Sequence, residues 1–147
     1  MFNKILCAVD GSAHSIKAAK LASQLAQQCG ASLSFLTVTK ELKMTEELKR
    51  YIELEHLSGE PQYVLDDYTE SVIQSARDAA REAGLGNVKA EVKTGQPARV
   101  IVRTAERGGY DAIVLGSRGH GDIEGLLLGS VSHKVANLAK CTVVTVK

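Results

Sequence analysis

Two kinds of apolar pattern alternate along the chain, and this alternation constrains the fold more than any other feature. Short continuous apolar runs occur at Ile5 to Val9, Leu33 to Val38, Asp111 to Leu115 and Thr142 to Val146. Between them lie longer segments in which apolar residues recur at helical spacing. A short continuous run is typical of a strand buried on both faces, whereas the longer segments predict amphipathic helices. The chain is therefore predicted to alternate strands with helices.

Capping residues and glycines delimit these helical segments. Ser12 is placed to cap the first helix, and Gly30 is placed to end it. Pro97 suits the first turn of a later helix, because the N–H that proline lacks has no partner there. The apolar faces of the predicted helices run from Ala18 to Cys29, Val72 to Ala83, Ala98 to Ala105 and Val131 to Ala139.

The middle of the chain gives a weaker pattern. Val88 to Lys93 alternates strictly between apolar and charged residues, which predicts a strand with one polar face at the edge of a sheet. Glu46 to His56 is expected to form a short charged helix, which Ser58 to Pro61 would break. The pair Asp66-Asp67 is interpreted as a cap ahead of the next helix, favourable to its dipole.

The order of these elements predicts a single α/β domain over residues 1–147. Right-handed crossovers make a doubly wound, five-stranded parallel sheet of order 3-2-1-4-5, with helices on both faces, the expected packing. In such a sheet, ligands bind at the carboxyl ends of the strands where the order reverses, here between strands one and four. Those ends carry Asp10 and Gly116.

Composition and charge exclude several other classes of protein. The net charge of +1 gives no broad electrostatic surface for nucleic acid or an anionic membrane, so neither is expected as a partner. No apolar run approaches the length that spans a membrane. The first apolar run is too short for the core of a signal peptide, which predicts a cytoplasmic protein. Cys7, Cys29 and Cys141 are widely spaced, which indicates small hydrophobic residues rather than a disulfide framework or a zinc site.

A glycine-rich stretch from Gly116 to Ser130 follows the fourth strand and opens the last helix. Glycine lets backbone N–H groups approach an anion, and a helix N-terminus adds unpaired N–H groups and a positive dipole end. The hydroxyls of Ser130 and Ser132 are further donors, and Arg118 and His120 are candidate positive charges. Two acidic residues of the stretch, at positions 122 and 124, are expected to face solvent.

Taken alone, this glycine cluster is equally compatible with a plain loop. It is neither a Walker A sequence nor a Rossmann fingerprint, and no Gly-Lys-Ser/Thr supplies a P-loop lysine.

The chain resembles the universal stress protein family over nearly its whole length. Lys4 to Ser12 is similar to that family's first strand and turn, and Gly95-Gln96-Pro97-Ala98 to its third strand-to-helix turn. The most specific feature is the pattern Gly116-x2-Gly119-x9-Gly129-Ser130, which resembles the ATP-binding branch.

The resemblance implies a site for ATP together with Mg²⁺. It implies that the three glycines and the hydroxyl residue cradle the phosphates, that Ala8 to Asp10 lie beside adenine and ribose, and that Val38 contacts adenine. The expected nucleotide-binding residues are Ala8, Val9, Asp10, Val38, Leu115, Gly116, Ser117, Arg118, Gly119, His120, Gly129, Ser130, Val131 and Ser132.

Asp10 and the histidines are the other candidates for chemistry. Asp10 is expected to bond the ribose or hold a water on Mg²⁺, and the alternative is a turn residue at a helix start. His120 is the only histidine expected in the site, whereas His14, His56 and His133 are expected to be exposed and passive.

The leading hypothesis is an ATP-binding stress-response protein in which the nucleotide acts as a switch or regulator. Any hydrolysis should be slow, since no base or arginine finger can be assigned. One alternative is an ATP-using transferase or ligase of similar architecture, although such relatives carry a Ser-Gly-Gly-x-Asp loop where this chain has Val9 to Ser12. Another is a phospho-acceptor receiver with Asp10 as nucleophile, which would need a cluster of acidic residues at two strand ends.

The last strand predicts a homodimer. Thr142 to Val146 is strongly β-forming and uncharged, and in the order 3-2-1-4-5 it is an outer strand. The opposite edge, Val88 to Lys93, carries three charges. The family resemblance likewise implies pairing of two last strands across a two-fold axis. The alternative is that residues 40–68 of the same chain cover the strand.

Overall fold

The computed structural model describes residues 1–40, 50, 53–54, 61–120 and 128–147. In this part of the chain the strands and helices follow in the order β1 (Lys4–Ala8), α1 (Ala13–Cys29), β2 (Ser32–Thr39), α2 (Pro61–Glu82), β3 (Lys89–Thr94), α3 (Pro97–Gly108), β4 (Ala112–Gly116), α4 (Ser130–Leu138) and β5 (Thr142–Val146).

The strands form one parallel sheet of the predicted order. It has five strands in the order β3-β2-β1-β4-β5, and every neighbouring pair is parallel. The predicted bounds of β1, β2, β3 and β4 differ by one residue at either end. β1 has β2 on one side and β4 on the other, so the order reverses beside β1.

The core is divided between the two faces of this sheet. Ile5 and Cys7 point into a cluster with α1 and α2, whereas Leu6 and Ala8 point into one with α3 and α4. This alternation is the period of a strand, and it explains why β1 is a continuous apolar run. The buried side of α1 is mostly alanine, which lets that helix lie close to the sheet; its buried alanines are Ala18, Ala19, Ala22 and Ala26.

The predicted helix caps at both ends of α1 are confirmed. The Ser12 hydroxyl accepts a hydrogen bond from the Ser15 amide, and Gly30 ends the helix with a left-handed φ of 65°. Pro97 begins α3 and Gly109 ends it, also in the left-handed conformation.

The capping interpretation of Asp66-Asp67 is wrong. Both residues lie inside α2, which already begins at Pro61. The apolar spacing that marks this helix from Val72 onward extends back through Tyr68 and Leu65, so the sequence held a signal for the earlier start. The predicted helix Glu46 to His56 and its break at 58–61 lie mostly outside the described residues.

The edge strand β3 departs from the predicted alternation. Ala90 packs against the core, but Val92 is 48 % exposed although it belongs to the predicted apolar face. Glu91 lies between Lys89 and Lys93, with Nζ–Oε distances of 2.7 and 3.7 Å. The charged edge expected from the sequence is therefore present. Among the described residues, no helix is both long and apolar enough to cross a membrane.

Candidate functional site

A cavity of about 320 Å³ opens at the carboxyl ends of β1, β2 and β4, where the strand order reverses. Most residues predicted to bind nucleotide line it, namely Ala8, Val9, Asp10, Val38, Leu115, Gly116, Arg118, Gly119, His120, Ser130, Val131 and Ser132. Two predicted residues, Ser117 and Gly129, do not line it. Topology and the glycine-rich stretch thus lead to the same place in the molecule.

The lining divides into an apolar part and a polar part. The apolar part is made by strand residues and by residues of α3 and α4, and its larger members are Leu36, Val38, Ile101, Leu115 and Val131. The polar part consists of the β1–α1 turn and the glycine-rich stretch. An apolar cavity with a few convergent polar groups is the usual form of a small-molecule site.

Asp10 acts as a turn residue in this structure. Its Oδ1 accepts hydrogen bonds from the amide and the hydroxyl of Ser12, at 2.9 and 2.6 Å. The Ser15 hydroxyl oxygen in turn accepts the amides of Asp10 and Gly11, at 2.9 and 3.3 Å. These bonds hold the carboxylate at the mouth of the cavity. Asp10 therefore has the role of a turn residue at the start of α1, and its contact with ribose stays a prediction.

Gly116 is needed for packing. A Cβ at this position would lie 2.8 Å from the Cβ of His14 and 2.9 Å from the Ser15 amide nitrogen. The first turn of α1 therefore rests directly on the end of β4. Sequence reasoning assigned this glycine to anion approach, whereas the contacts show that it is required by the helix above it.

Ser117 fastens the glycine-rich stretch instead of facing the cavity. Its side chain is 1 % exposed, and its hydroxyl shares a hydrogen bond of 2.9 Å with Nδ1 of His14. The expectation that His14 is exposed and passive is therefore wrong: it is half-buried and bonded across the fold. The helix periodicity of α1 could not reveal this contact, because the partner lies 103 residues away.

The carbonyl of Ser117 joins the two ends of the glycine-rich stretch. It accepts the amide of Gly129 and the hydroxyl of Ser132, both at 2.6 Å. Two donors that were expected to face phosphate are thus used within the protein. The backbone of Gly129 is extended, with φ −74° and ψ 173°, and α4 begins at Ser130 without a side-chain cap.

His120 is held at the mouth of the cavity by α2. Its Nε2 lies 2.7 Å from the Tyr68 hydroxyl and 2.9 Å from the Asp10 carbonyl oxygen. Tyr68 also donates its hydroxyl to that carbonyl, at 2.8 Å. Partial burial and the nearby Asp10 carboxylate raise the pKa of the Tyr68 phenol, which keeps it a donor at neutral pH.

Sequence reasoning missed several lining residues. Lys40 follows β2, and its charge joins that of Arg118 around the cavity. Its position two residues beyond Val38 was the signal that could have found it, because carboxyl ends of parallel strands meet at one edge. The other missed lining residues are Ser12, Ser15, Leu36, Pro97 and Ile101.

Within the described ranges, the acidic residues and cysteines form no cluster that suits a metal centre. Among the described residues, no group of three or more His, Cys, Asp or Glu side chains could hold a metal ion. The receiver alternative therefore lacks its acidic cluster in this part of the chain. All three cysteines are free thiols, and burial raises the pKa of the Cys7 thiol.

Comparison with known proteins gives consistent matches along the whole chain. The profile of the universal stress protein family matches residues 1–147. The chain is similar to "Universal stress protein YxiE" of Bacillus subtilis (strain 168), at 36% identity over 156 aligned positions that cover 100% of both chains. It is also similar to "Universal stress protein in QAH/OAS sulfhydrylase 3'region" of Thermus aquaticus, at 34% identity. That alignment spans 149 positions and covers 100% of both chains.

Among solved structures, a universal stress protein in complex with cAMP superposes with a TM-score of 0.71 at 26% identity, over 99% of this chain and 97% of that one. With sequence and fold in agreement over its full length, the chain belongs to the universal stress protein family.

Proposed function

We propose that this chain binds ATP, together with Mg²⁺, in the cavity at the carboxyl ends of β1, β2 and β4, and acts in stress response as a nucleotide-dependent regulator. The observation that carries the proposal is the convergence of the β1–α1 turn, the end of β2 and the glycine-rich stretch on one cavity of about 320 Å³. Cavities of this size are typical of small-molecule sites.

The apolar part of the cavity suits a flat aromatic base. Leu36, Val38 and Ile101 present aliphatic side chains from β2 and α3, and Leu115 does so from β4. Burying the faces of an adenine ring against such side chains is favourable, since it removes apolar surface from water. Asp10 lines the cavity from the β1–α1 turn, and we expect its carboxylate to accept a hydrogen bond from a ribose hydroxyl.

The polar part suits phosphates. Arg118 and Lys40 supply positive charge to the cavity, and α4 begins at its wall with Ser130, Val131 and Ser132. Amides in the first helical turn have no intrahelical acceptor, and the helix dipole favours an anion there. With no group of three or more metal-binding side chains among the described residues, Mg²⁺ would be held chiefly by the phosphates themselves.

The cAMP complex among the similar structures supports an adenine nucleotide as the class of ligand, since that relative shares 26% identity over nearly its whole length. The proposal for ATP goes further and depends on the glycine motif of this chain. It includes a homodimer joined through β5, which is argued below.

Calorimetric titration with MgATP tests the proposal. We expect the wild type to bind, and we expect Arg118→Ala to weaken ATP about 10-fold or more, the effect of losing one charge-assisted hydrogen bond. Adenosine affinity should change little, because it has no phosphate for the guanidinium to contact.

Arg107→Ala is the matched control. Arg107 lies in the last turn of α3, away from the residues that line the cavity, so its removal should leave MgATP affinity unchanged. A wild type that binds neither MgATP nor adenosine would refute the proposal. Equal loss in both arginine variants would refute the assignment of Arg118.

A further inference from the structure

Three polar groups meet at the mouth of the cavity, and each lies within hydrogen-bond distance of the other two. They are the Tyr68 hydroxyl on α2, Nε2 of His120 in the glycine-rich stretch and the carbonyl oxygen of Asp10 after β1. The rings of Tyr68 and His120 also meet edge to face, with centroids 6.1 Å apart. Tyr68 is 58 positions from Asp10 and 52 from His120 in the chain, so these hydrogen bonds join distant segments at one point.

The protons in this cluster can be assigned by counting donors. The Asp10 carbonyl can only accept, and the Tyr68 hydroxyl carries a single proton, which it donates to that carbonyl. If Nε2 of His120 carried no proton, its lone pair would face the carbonyl oxygen at 2.9 Å with nothing between them. The arrangement is satisfied only when Nε2 carries a proton and donates it to the other two oxygens.

We propose that Tyr68 is a positioning residue for the nucleotide site: it anchors His120, and with it the first part of the glycine-rich stretch, to α2 over the end of β1, and it holds the imidazole as the Nε2-protonated tautomer. This inference rests on the proposed function for its effect on ligand. Its structural part concerns the protein without ligand and is tested separately.

Gly11 leaves the space through which the Tyr68 hydroxyl reaches the Asp10 carbonyl. A Cβ at Gly11 would lie 2.5 Å from the Tyr68 hydroxyl oxygen and 2.8 Å from Val72 Cγ2, and the φ of this glycine is +84°. The turn after β1 is thus shaped to let the tyrosine reach the Asp10 carbonyl. The Ser15 hydroxyl holds the same turn from its other side, so the carbonyl is presented to Tyr68 in a fixed direction.

The test variant is Tyr68→Phe, which removes the hydroxyl and keeps the ring. Tyr68 is 46 % exposed, so the change should leave the fold intact. The matched control is Tyr110→Phe, which changes a tyrosine in the connection between α3 and β4 whose ring lies beneath the Lys4 ammonium. Two measurements are made on each protein: the tautomer of His120, from long-range ¹H–¹⁵N spectra at a pH where imidazole is neutral, and the affinity for MgATP.

We expect the wild type and Tyr110→Phe to show the Nε2-protonated form, with the signal identified by its loss in His120→Gln. In Tyr68→Phe the imidazole is no longer held beside the Asp10 carbonyl, so we expect a mixture of tautomers and an MgATP affinity about 3- to 10-fold weaker, the range for one or two neutral hydrogen bonds.

The outcomes separate the two claims. A wild type with the proton on Nδ1 would overturn the anchoring by Tyr68. Wild-type binding of MgATP that Tyr68→Phe leaves unchanged would overturn the positioning role alone. A wild type that shows the expected tautomer but binds no nucleotide would overturn the proposed function, and with it the role of Tyr68 toward ligand.

Discussion

At the scale of single residues, similar glycines in and around the site have different physical reasons to be glycine. Gly11 has a left-handed φ and lies under the Tyr68 hydroxyl, whereas Gly116 has the first turn of α1 packed on it. The sequence predicted that glycines would gather at the end of β4, which is correct. It could not separate packing from ligand approach, because that distinction depends on a helix more than 100 residues earlier.

Gly116→Ala tests the packing reason. A methyl group would meet His14 and the Ser15 amide at 2.8 and 2.9 Å, and backbone cannot move aside cheaply. We expect a loss of about 1–3 kcal/mol in the free energy of unfolding, as in other overpacked sites. Urea denaturation followed by circular dichroism measures it.

Gly86→Ala is the control, because Gly86 lies in an open connection with nothing within 4 Å of a Cβ and without a positive φ. It should be neutral or slightly stabilising. If Gly116→Ala were equally neutral, the close contact between α1 and β4 would be wrong.

At the scale of strands and helices, the elements that could be predicted are those formed by residues close together in the sequence. β1, β4 and the helix end at Gly30 were predictable, since continuous apolar runs and left-handed glycines act within a few residues. The start of α2 at Pro61 was missed because the pair Asp66-Asp67 resembles a cap, although Leu65 and Tyr68 continue the apolar spacing of the helix. The exposure of Val92 was also unpredictable. Alternation with period 2 shows which residues share one face of a strand, but it does not show whether a helix packs on that face.

The opposite end of the sheet is held by a carboxylate. Asp111 precedes β4, and its two oxygens accept the backbone amides of Asn3 and Lys4 at 2.8 and 3.1 Å. The amide of Asn3, followed by that of Lys4, lowers the pKa of Asp111 despite some opposing desolvation. The start of β1 is thus tied to the start of β4 by a charged group.

This tie predicts a pH dependence of stability. A carboxyl whose pKa is lowered by folding contributes its stability at a pH above its unfolded pKa of about 3.9, and the contribution is lost as pH falls through the folded pKa. Asp111→Asn should therefore lower the urea midpoint at neutral pH, and the gap from wild type should narrow on acidification. A gap that stayed constant down to about pH 2 would contradict the ionic character of the tie.

At the scale of the whole molecule, the sheet has two unlike edges. β3 carries Lys89, Glu91 and Lys93, whose charges oppose pairing with another strand. β5 carries no charge, and its residues from Val143 to Val146 remain partly exposed although they pair with β4. The fold and the two edges were predictable from sequence order, whereas the pairing of β5 with a second chain depends on contacts between two chains.

The uncharged edge of β5, with which no other described strand than β4 pairs, predicts a homodimer, and the ladder with β4 shows which residue to change. The Val146 carbonyl accepts the Ser117 amide at 2.7 Å, so the backbone groups of Val146 and Val144 face β4, and those of Val143 and Thr145 face outward. Proline at position 145 removes an outward N–H without breaking the sheet. We expect light scattering to report a wild-type dimer and a Thr145→Pro monomer with a native circular dichroism spectrum.

The other edge supplies the matched control for this dimer. The Gly95 amide donates to the Thr39 carbonyl, so the N–H of Val92 also faces outward, but on β3. Val92→Pro therefore makes the same backbone change on the charged edge, and it should leave the dimer intact. If instead Val92→Pro gave the monomer and Thr145→Pro did not, the interface would lie on β3. A wild type that is monomeric at micromolar concentration would refute the dimer, and the uncharged edge of β5 would then be compatible with an isolated chain.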